Sequence, residues 1–174
     1  IDAAGIVRAG LELIRNKGEK TQGASTITQQ LARGIFLTTD KTYERKIREI
    51  FIAMEIEKKY EKDEILEFYM NNMYFASGYY GIEAAAQGYF SKSSKDLTLG
   101  EITYLCAIPN NPNLYHPIRH PENTLKRKNR ILDQMLEDKV ITSVEYDEAY
   151  NQKIKLNPKT ETKRNFIQTY ICLL

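Results

Sequence analysis

Apolar residues in this 174-residue chain recur three or four positions apart, and no run alternates apolar with polar residues for more than a few positions. The helical spacing places apolar side chains on one face of an α-helix, whereas a half-buried strand needs alternation. The sequence therefore predicts a mainly α fold with little or no sheet. Its length is enough for about one domain with a buried core.

Start and stop signals divide the chain into successive helices. Thr98-x-x-Glu101 and Thr142-x-x-Glu145 each fit a capping box, in which the two side chains satisfy backbone N–H groups at a helix start. Predicted helices cover residues 2–16, about 25–37, about 42–59, 62 to at most 75, 82–89, 98–107 and about 121–138, with a short helix after Thr142. A proline-rich irregular loop is expected between residues 109 and 121.

Composition excludes several classes of function. A net charge of +2 argues against a polyanion-binding surface over the whole chain, and no apolar run approaches the 18 residues of a membrane span. Two cysteines are too few for a disulfide framework or a metal knuckle, and Cys106, in an apolar run, is expected to be buried. Both histidines, His116 and His120, fall in the proline-rich loop, so a histidine-based metal site or catalytic triad is not expected.

Four uncharged hydrogen-bonding side chains stand where the second helix should begin: Ser25, Thr26, Gln29 and Gln30. If the helix starts at Ser25 or Thr26, then Ser25, Gln29 and Arg33 share one face. That face suits a phosphate or sugar, and the free N–H groups of the helix start add to anion binding. The alternative interpretation is that these residues are only N-caps and surface polarity.

The third helix opens with a basic cluster and one acid. Lys41, Arg45 and Glu49 follow one another at four-residue spacing, with Lys46 and Arg48 between them. An acid on a basic face is a candidate pyrophosphate or metal–phosphate site, because the cations offset the charge of a leaving group. The alternative is a simple surface pair between Arg45 and Glu49.

Several motifs resemble those of a known family. The string Gly23-Ala24-Ser25-Thr26-Ile27-Thr28-Gln29-Gln30 resembles the GGSTITQQ signature of the peptidoglycan glycosyltransferases, the polymerising domain of class A penicillin-binding proteins and of monofunctional relatives. Further matches are Arg45-Lys46-x-x-Glu49, the block from Lys62 to Asn71, and Arg127-Lys128-x-x-Ile131-Leu132, whose basic pair is expected to support the fold. The apolar residues of the second block are expected to pack inward: Ile65, Leu66, Phe68 and Tyr69. In the block after Asn71, Ala76 replaces a family glycine and predicts a less strained backbone there.

The resemblance, which spans residues 1–149, implies a lysozyme-like helical glycosyltransferase domain that polymerises lipid II with release of polyprenyl pyrophosphate. It assigns to Glu49 the role of the second acidic residue of the active site, beside the leaving diphosphate. The residues that it assigns to substrate binding are Ser25, Thr26, Gln29, Gln30, Arg33, Lys41, Arg45 and Asn71.

The same resemblance implies partners and a location. The expected ligands are lipid II, the growing glycan chain and moenomycin-type inhibitors, with no nucleic acid. A divalent ion, Mg²⁺ or Mn²⁺, is an open expectation at the diphosphate. The expected site of action is the bacterial membrane surface, at the outer face of the cytoplasmic membrane, with an anchor upstream of Ile1.

Residues 1–160 are predicted to form the glycosyltransferase domain, and residues 161–174 to lead towards a transpeptidase domain. The family's first block, EDxxFxxHxG, contains the acid assigned as general base and should end immediately before Ile1-Asp2. We therefore expect the 174-residue chain by itself to bind the lipid and to be nearly inactive in polymerisation.

Three other interpretations remain open. A lysozyme-type glycan hydrolase would need a catalytic acid in a hydrophobic pocket. A non-catalytic lipid II-binding module would use the polar helix start only as a cap. Binding of nucleic acid by the basic third helix ranks last, because acids are interleaved with the cations and no stacking aromatics lie among them.

Overall fold

The computed structural model describes residues 26–37 and 42–157, and nearly all regular structure in these ranges is α-helical. The helices are α1 (Ile27–Phe36), α2 (Tyr43–Lys59), α3 (Lys62–Asn72), α4 (Ile82–Phe90), α5 (Leu99–Ala107), α6 (Pro121–Glu137) and α7 (Ser143–Asn151), with a 3₁₀ helix at Ser94–Asp96. Extended pairing within the described ranges amounts to one isolated bridge between Tyr74 and Tyr80. The mainly α prediction is confirmed, while the predicted helix over residues 2–16 lies outside the described residues.

Helix starts follow the capping signals of the sequence. The hydroxyls of Thr42, Thr98 and Thr142 each accept a hydrogen bond from the backbone N–H three residues later, and the predicted boxes at Thr98 and Thr142 are both closed by their glutamates. A cap satisfies N–H groups that have no partner inside the helix. These local bonds explain why the observed starts fall within two residues of the predicted ones.

The 3₁₀ helix at Ser94–Asp96 was not predicted, because a distant side chain holds it. Glu83 on α4 accepts a hydrogen bond from the backbone N–H of Ser94 at 2.8 Å and one from the Ser93 hydroxyl at 3.4 Å. Hydrogen bonds from the side chain and backbone of Ser94 lower the pKa of Glu83 to about 2.

The chain divides into two compact units, one ending at Met73 and the other beginning at Tyr74. In the N-terminal unit, helices α1, α2 and α3 share a small apolar core. Ala32 of α1 and Ala53 of α2 are both fully buried, and these small side chains allow the two helices to approach closely. The other buried members of this core are Leu31, Ile56 and Ile65.

Helix α2 has an unusual distribution of side chains. Its apolar stripe of Tyr43, Ile47, Phe51 and Met54 is exposed, with Tyr43 at 82% and Phe51 at 64% of full exposure. Its buried face consists of Glu49, Ala53 and Ile56. Leu66 of α3, expected to pack inward, is likewise exposed. The N-terminal unit therefore buries a charged residue and leaves large apolar residues in contact with solvent.

The C-terminal unit packs α4 to α7 around Tyr89, Tyr104, Leu105 and Leu132, which are all buried. Lys128 of α6 is also buried, at 1% exposure, and its ammonium donates to the carbonyl of Tyr150 in the last turn of α7 at 3.2 Å. Burial lowers the pKa of Lys128. The contact ties α6 to α7, which accords with the structural role expected for the Arg127-Lys128 pair.

The turn before α4 is strained, contrary to the expectation drawn from Ala76. Ala76 and Ser77 have φ angles of 62° and 49°, in the left-handed region that side chains disfavour, and Ala76 is buried. Contacts on both sides hold the turn: the Tyr89 hydroxyl donates to the Phe75 carbonyl at 2.8 Å, and the Ser77 hydroxyl lies 3.4 Å from His116 Nε2. The prediction of a relaxed backbone at Ala76 was wrong.

The prediction for Cys106 was also wrong, because its position on α5 leaves it exposed. It lies four residues after Ile102, which is 39% exposed, so the two share the outward face of the helix. Among the described helices, none is both long and apolar enough to cross a bilayer.

The loop between α5 and α6 depends on a neutral histidine. His116 is 9% exposed, and its Nδ1 accepts hydrogen bonds from the backbone N–H groups of Ile118 and Arg119, both at 3.3 Å. An Nδ1 that accepts carries no proton. Burial first, and then the positive charge of Arg119, lowers the pKa of His116.

We predict that His116 makes the stability of the chain depend on pH. Because its pKa is lower in the folded chain than the unfolded value of about 6.5, the unfolded chain binds the proton first, so this stabilisation is complete above pH 6.5 and is lost as the pH falls below it. Urea unfolding at pH 7.5 and 5.5 measures the effect. The loss should shrink in His116→Gln and persist in the control His120→Gln, and equal losses in the unaltered chain and His116→Gln would contradict the prediction.

Candidate functional site

A chain of hydrogen bonds joins α1 to α2 in the N-terminal unit. The ammonium of Lys46 donates to Gln29 Oε1 at 3.2 Å, and it also forms an ion pair with Glu49 Oε1. Arg45 Nη1 donates to the other carboxylate oxygen, Glu49 Oε2, at 2.8 Å. Two cations, one acid and one amide, predicted as parts of two separate motifs, therefore form one cluster, which we call the Gln29–Glu49 cluster.

The cluster lies where the N-terminal turns of two helices meet. Gln29 is in the first turn of α1, which Thr26 caps, and Lys46 is in the first turn of α2, which Thr42 caps. The N-terminus of a helix carries a partial positive charge and unpaired N–H groups. Two such ends, together with Arg45 and Lys46, make this part of the unit strongly attractive to an anion.

The four side chains of the cluster differ in how far they are exposed to solvent. Glu49 is fully buried and Gln29 is 1% exposed, whereas the side chains of Arg45 and Lys46 are 13% and 39% exposed. Burying a carboxylate is costly unless cations and hydrogen bonds compensate, and here both its oxygens have a cationic donor. The solvent-facing part of the cluster is thus Lys46 and the edge of Arg45.

Two donors in the cluster are buried without a hydrogen-bond partner: Gln29 Nε2 and Arg45 Nε. An ammonium can only donate, so Lys46 fixes the orientation of the Gln29 amide with its oxygen towards the lysine, which leaves the NH₂ group unpaired. Buried donors are nearly always paired in proteins, so these two atoms mark the cluster as an exception.

The remaining predicted residues have different surroundings. Thr26 accepts a hydrogen bond from the Gln29 N–H at 3.2 Å and so acts as the N-cap of α1, as the alternative interpretation held. Gln30 Oε1 accepts from the Tyr69 hydroxyl of α3 at 3.2 Å. Burial raises the pKa of Tyr69, and the nearby charge of Arg33 opposes that shift, so Arg33 lies near this second group.

Asn71 is exposed in the last turn of α3, and the described hydrogen bonds do not connect it to the Gln29–Glu49 cluster. Ser25 and Lys41 lie outside the described residues. The structure therefore brings together Gln29, Arg45 and Glu49 from the predicted set, and it places Gln30 and Arg33 in a neighbouring group on α1 and α3.

Sequence reasoning did not include Lys46 among the site residues, although Lys46 makes the contact that joins the two helices. The sequence does contain an indication of its role. Lys46 precedes Glu49 by three residues, and residues at that spacing are neighbours on the surface of a helix. The contact with Gln29 spans 17 residues of sequence and could not be derived from spacing alone.

The donor set does not fit a divalent metal ion on Glu49. Mg²⁺ prefers carboxylate oxygens that are free to coordinate, and both oxygens of Glu49 are occupied by cationic donors. Within residues 26–37 and 42–157, no group of three or more Asp, Glu, His or Cys side chains is placed to bind a metal. The charge available to a bound anion in this cluster comes from Arg45 and Lys46.

Comparisons with known proteins point to one family. The family model described as Transglycosylase matches residues 1–136. Penicillin-binding protein 4 of Bacillus subtilis is 46% identical over 98% of this chain, and penicillin-binding protein 1A of Aquifex aeolicus is 45% identical over 98%. The crystal structure of penicillin-binding protein 1A from Haemophilus influenzae covers 77% of the chain with a TM-score of 0.53 and 28% identity. The helical, lysozyme-like fold implied by the sequence motifs is thereby confirmed.

These proteins are much longer than the chain described above. The chain spans 27% and 23% of the lengths of the Bacillus and Aquifex relatives, and 17% of the Haemophilus structure. The similarity therefore concerns one part of each of these proteins.

We predict that Lys46→Met destabilises the N-terminal unit by about 1–3 kcal/mol, because it removes one of the two cations that compensate the buried Glu49 and also breaks the bond to Gln29. Arg48→Met is the matched control: it removes an exposed partner of Glu44 on the same helix, a pair worth at most about 1 kcal/mol. Chemical unfolding of both variants measures the difference, and equal losses would contradict the buried role of the cluster.

Proposed function

This chain belongs to the transglycosylase family, and on that premise we propose that it is a peptidoglycan glycosyltransferase domain whose Gln29–Glu49 cluster binds the diphosphate of a lipid-linked sugar donor. The observation that carries the proposal is the bond between Gln29 and Lys46, which brings two helix N-termini and two cations together. Phosphate oxygens are the ligands that such an arrangement binds best.

The cluster has the charge that the departure of a diphosphate requires. When the bond from the sugar carbon to the diphosphate breaks, negative charge accumulates on the leaving oxygens. Arg45 and Lys46 are held in place before the reaction, so they stabilise that charge with little rearrangement. Gln29 is buried behind them, and its amide oxygen accepts from Lys46 and helps to hold that cation in place. The growing glycan chain and moenomycin-type inhibitors are proposed ligands of the same part of the domain.

The arrangement favours transfer over lysozyme-type hydrolysis. A hydrolase needs a carboxylic acid that keeps its proton near neutral pH, which a hydrophobic pocket provides. Glu49 instead has a cation against each oxygen, which is not the hydrophobic pocket that such an acid requires. Glu49 is therefore unsuited to be the acid of a hydrolase.

We propose that the exposed stripe of α2 contacts the membrane that contains the lipid-linked donor. Tyr43, Ile47, Phe51 and Met54 repeat every three or four residues and lie on the side of α2 opposite Glu49 and Ala53. Phe36, at the end of α1, is also 60% exposed. Exposed apolar surface on an amphipathic helix, next to basic residues, is typical of helices that lie in a membrane interface.

The double variant Gln29→Ala/Arg33→Ala tests the diphosphate site. We expect its affinity for lipid II in detergent micelles to fall at least about tenfold, because it loses the amide that holds Lys46 and a positive charge one turn further along α1. Arg130→Ala/Gln134→Ala removes the same residue types at the same spacing from α6 and should bind as the unaltered chain does. Unchanged binding by the first variant would favour a scaffold whose polar helix start only caps.

Vesicle binding tests the membrane contact. Ile47→Ser/Phe51→Ser should reduce co-sedimentation with anionic phospholipid vesicles about tenfold, because each side chain contributes roughly 1 kcal/mol or more when it leaves water. Val140→Ser/Val144→Ser is the control, since these residues are 67% and 65% exposed but belong to the C-terminal unit. Equal losses for the two pairs would show that the stripe has no special role.

A further inference from the structure

We propose that Glu49 is a positioning residue, which holds Arg45 and Lys46 side by side for the diphosphate and does not itself contact the substrate. The inference rests on the proposed function and refines it, because it assigns the anion contacts to the two cations. It follows from the burial of Glu49, from its hydrogen bonds and from its position on α2.

Burial leaves Glu49 no surface for a ligand. The residue is fully buried, and each of its oxygens already accepts from a cationic side chain. A diphosphate carries negative charge of its own, so direct contact with a carboxylate would be repulsive. A bridging metal ion would relieve that repulsion only by displacing Arg45 or Lys46 from the carboxylate.

Helix geometry explains how one carboxylate can align two neighbouring cations. Consecutive residues on an α-helix point about 100° apart, so Arg45 and Lys46 would diverge if nothing drew them together. Glu49 follows them by four and three residues and projects between their two directions, about 40° from one and about 60° from the other. Its two oxygens draw the two side chains towards a common side.

The charge of Glu49 also makes the alignment possible. Arg45 and Lys46 would repel each other if they were brought together alone, and the carboxylate between them offsets that repulsion. The three groups keep a net charge of +1, directed to the solvent through Lys46, which is the most exposed of them. Lys46 extends the alignment to α1 through Gln29.

Helix α2 offers a matched comparison. Glu44 and Arg48 form an ion pair at the same four-residue spacing, but their side chains are 75% and 67% exposed and the pair stands in solvent. Replacing either Glu44 or Glu49 by glutamine adds the same unit of positive charge to the same helix. Only the change at Glu49 removes the carboxylate that aligns Arg45 and Lys46.

Binding of inorganic pyrophosphate to the full chain, measured by titration calorimetry with and without Mg²⁺, tests the inference. Glu49→Gln should weaken binding at least tenfold although it makes the helix more positive, and Glu44→Gln should bind within about twofold of the unaltered chain or more tightly. Tighter binding by Glu49→Gln would overturn the inference, because Glu49 would then only reduce the positive charge. A loss seen only with Mg²⁺ would overturn it too, because Glu49 would then act as a metal ligand.

A double-mutant cycle shows whether Glu49 acts through Lys46. In a Lys46→Met background, Glu49→Gln should weaken pyrophosphate binding by no more than about threefold further, and independent, additive losses would overturn the inference. If Glu49→Gln does not fold, as circular dichroism would show, Glu49→Asp serves instead: it keeps the charge, shortens the reach, and should still weaken binding. Binding by Glu49→Asp equal to that of the unaltered chain would overturn the inference.

The same measurements distinguish the positioning role of Glu49 from the proposed function. Binding of pyrophosphate to the unaltered chain with no change in any Glu49 variant would overturn the positioning role alone. Absence of pyrophosphate binding by the unaltered chain, under conditions where it is folded, would overturn the proposed function and this inference with it.

Discussion

The contact of Lys46 with both Gln29 and Glu49 is the interaction on which the rest of the candidate site depends. One ammonium group connects the first turn of α1 to the first turn of α2 and helps to compensate a fully buried carboxylate. Without it, no hydrogen bond of the cluster would join the two helix starts, and the buried carboxylate would lose one of its two cationic donors. The same contact holds Lys46 beside Arg45, at the part of the cluster that faces solvent. The geometry of the site and the stability of the N-terminal unit therefore both depend on the contacts of Lys46.

The N-terminal unit reverses the usual distribution of side chains on a helix. A helix in a soluble domain normally turns its apolar stripe towards the core. In α2 the buried face carries Glu49 between small and medium-sized residues, while Phe51 and its apolar neighbours face outward. This arrangement costs stability in water, because a buried charge and exposed apolar surface both disfavour folding. It is consistent with the proposed function, in which one side of α2 binds phosphate and the other side contacts lipid.

Much of the fold could be predicted because local signals control it. Threonine caps at residues 42, 98 and 142 fix helix starts through bonds that span three residues, and the corresponding helices begin where the sequence placed them. The features that were missed or wrongly predicted depend on contacts between residues far apart in the sequence. The 3₁₀ helix depends on Glu83 from another helix, and the left-handed conformation of Ala76 is held by buried neighbours. Cys106 and Leu66 lie in apolar runs but face outward, because the packing partners of each helix decide which face is buried.

The sequence by itself determined the helical class, most helix bounds, the family resemblance and three members of the site: Gln29, Arg45 and Glu49. The helical class and the helix bounds follow from spacings of three or four residues, over which helix geometry decides which side chains are neighbours. The three site residues were selected by the family resemblance. Only the tertiary structure decided that Lys46 joins Gln29 to Glu49, that Glu49 is buried between two cations, and that the stripe of α2 faces outward. Those facts depend on how α1 packs against α2. Packing is decided by the fit of whole helix surfaces, which no short-range pattern in one helix specifies.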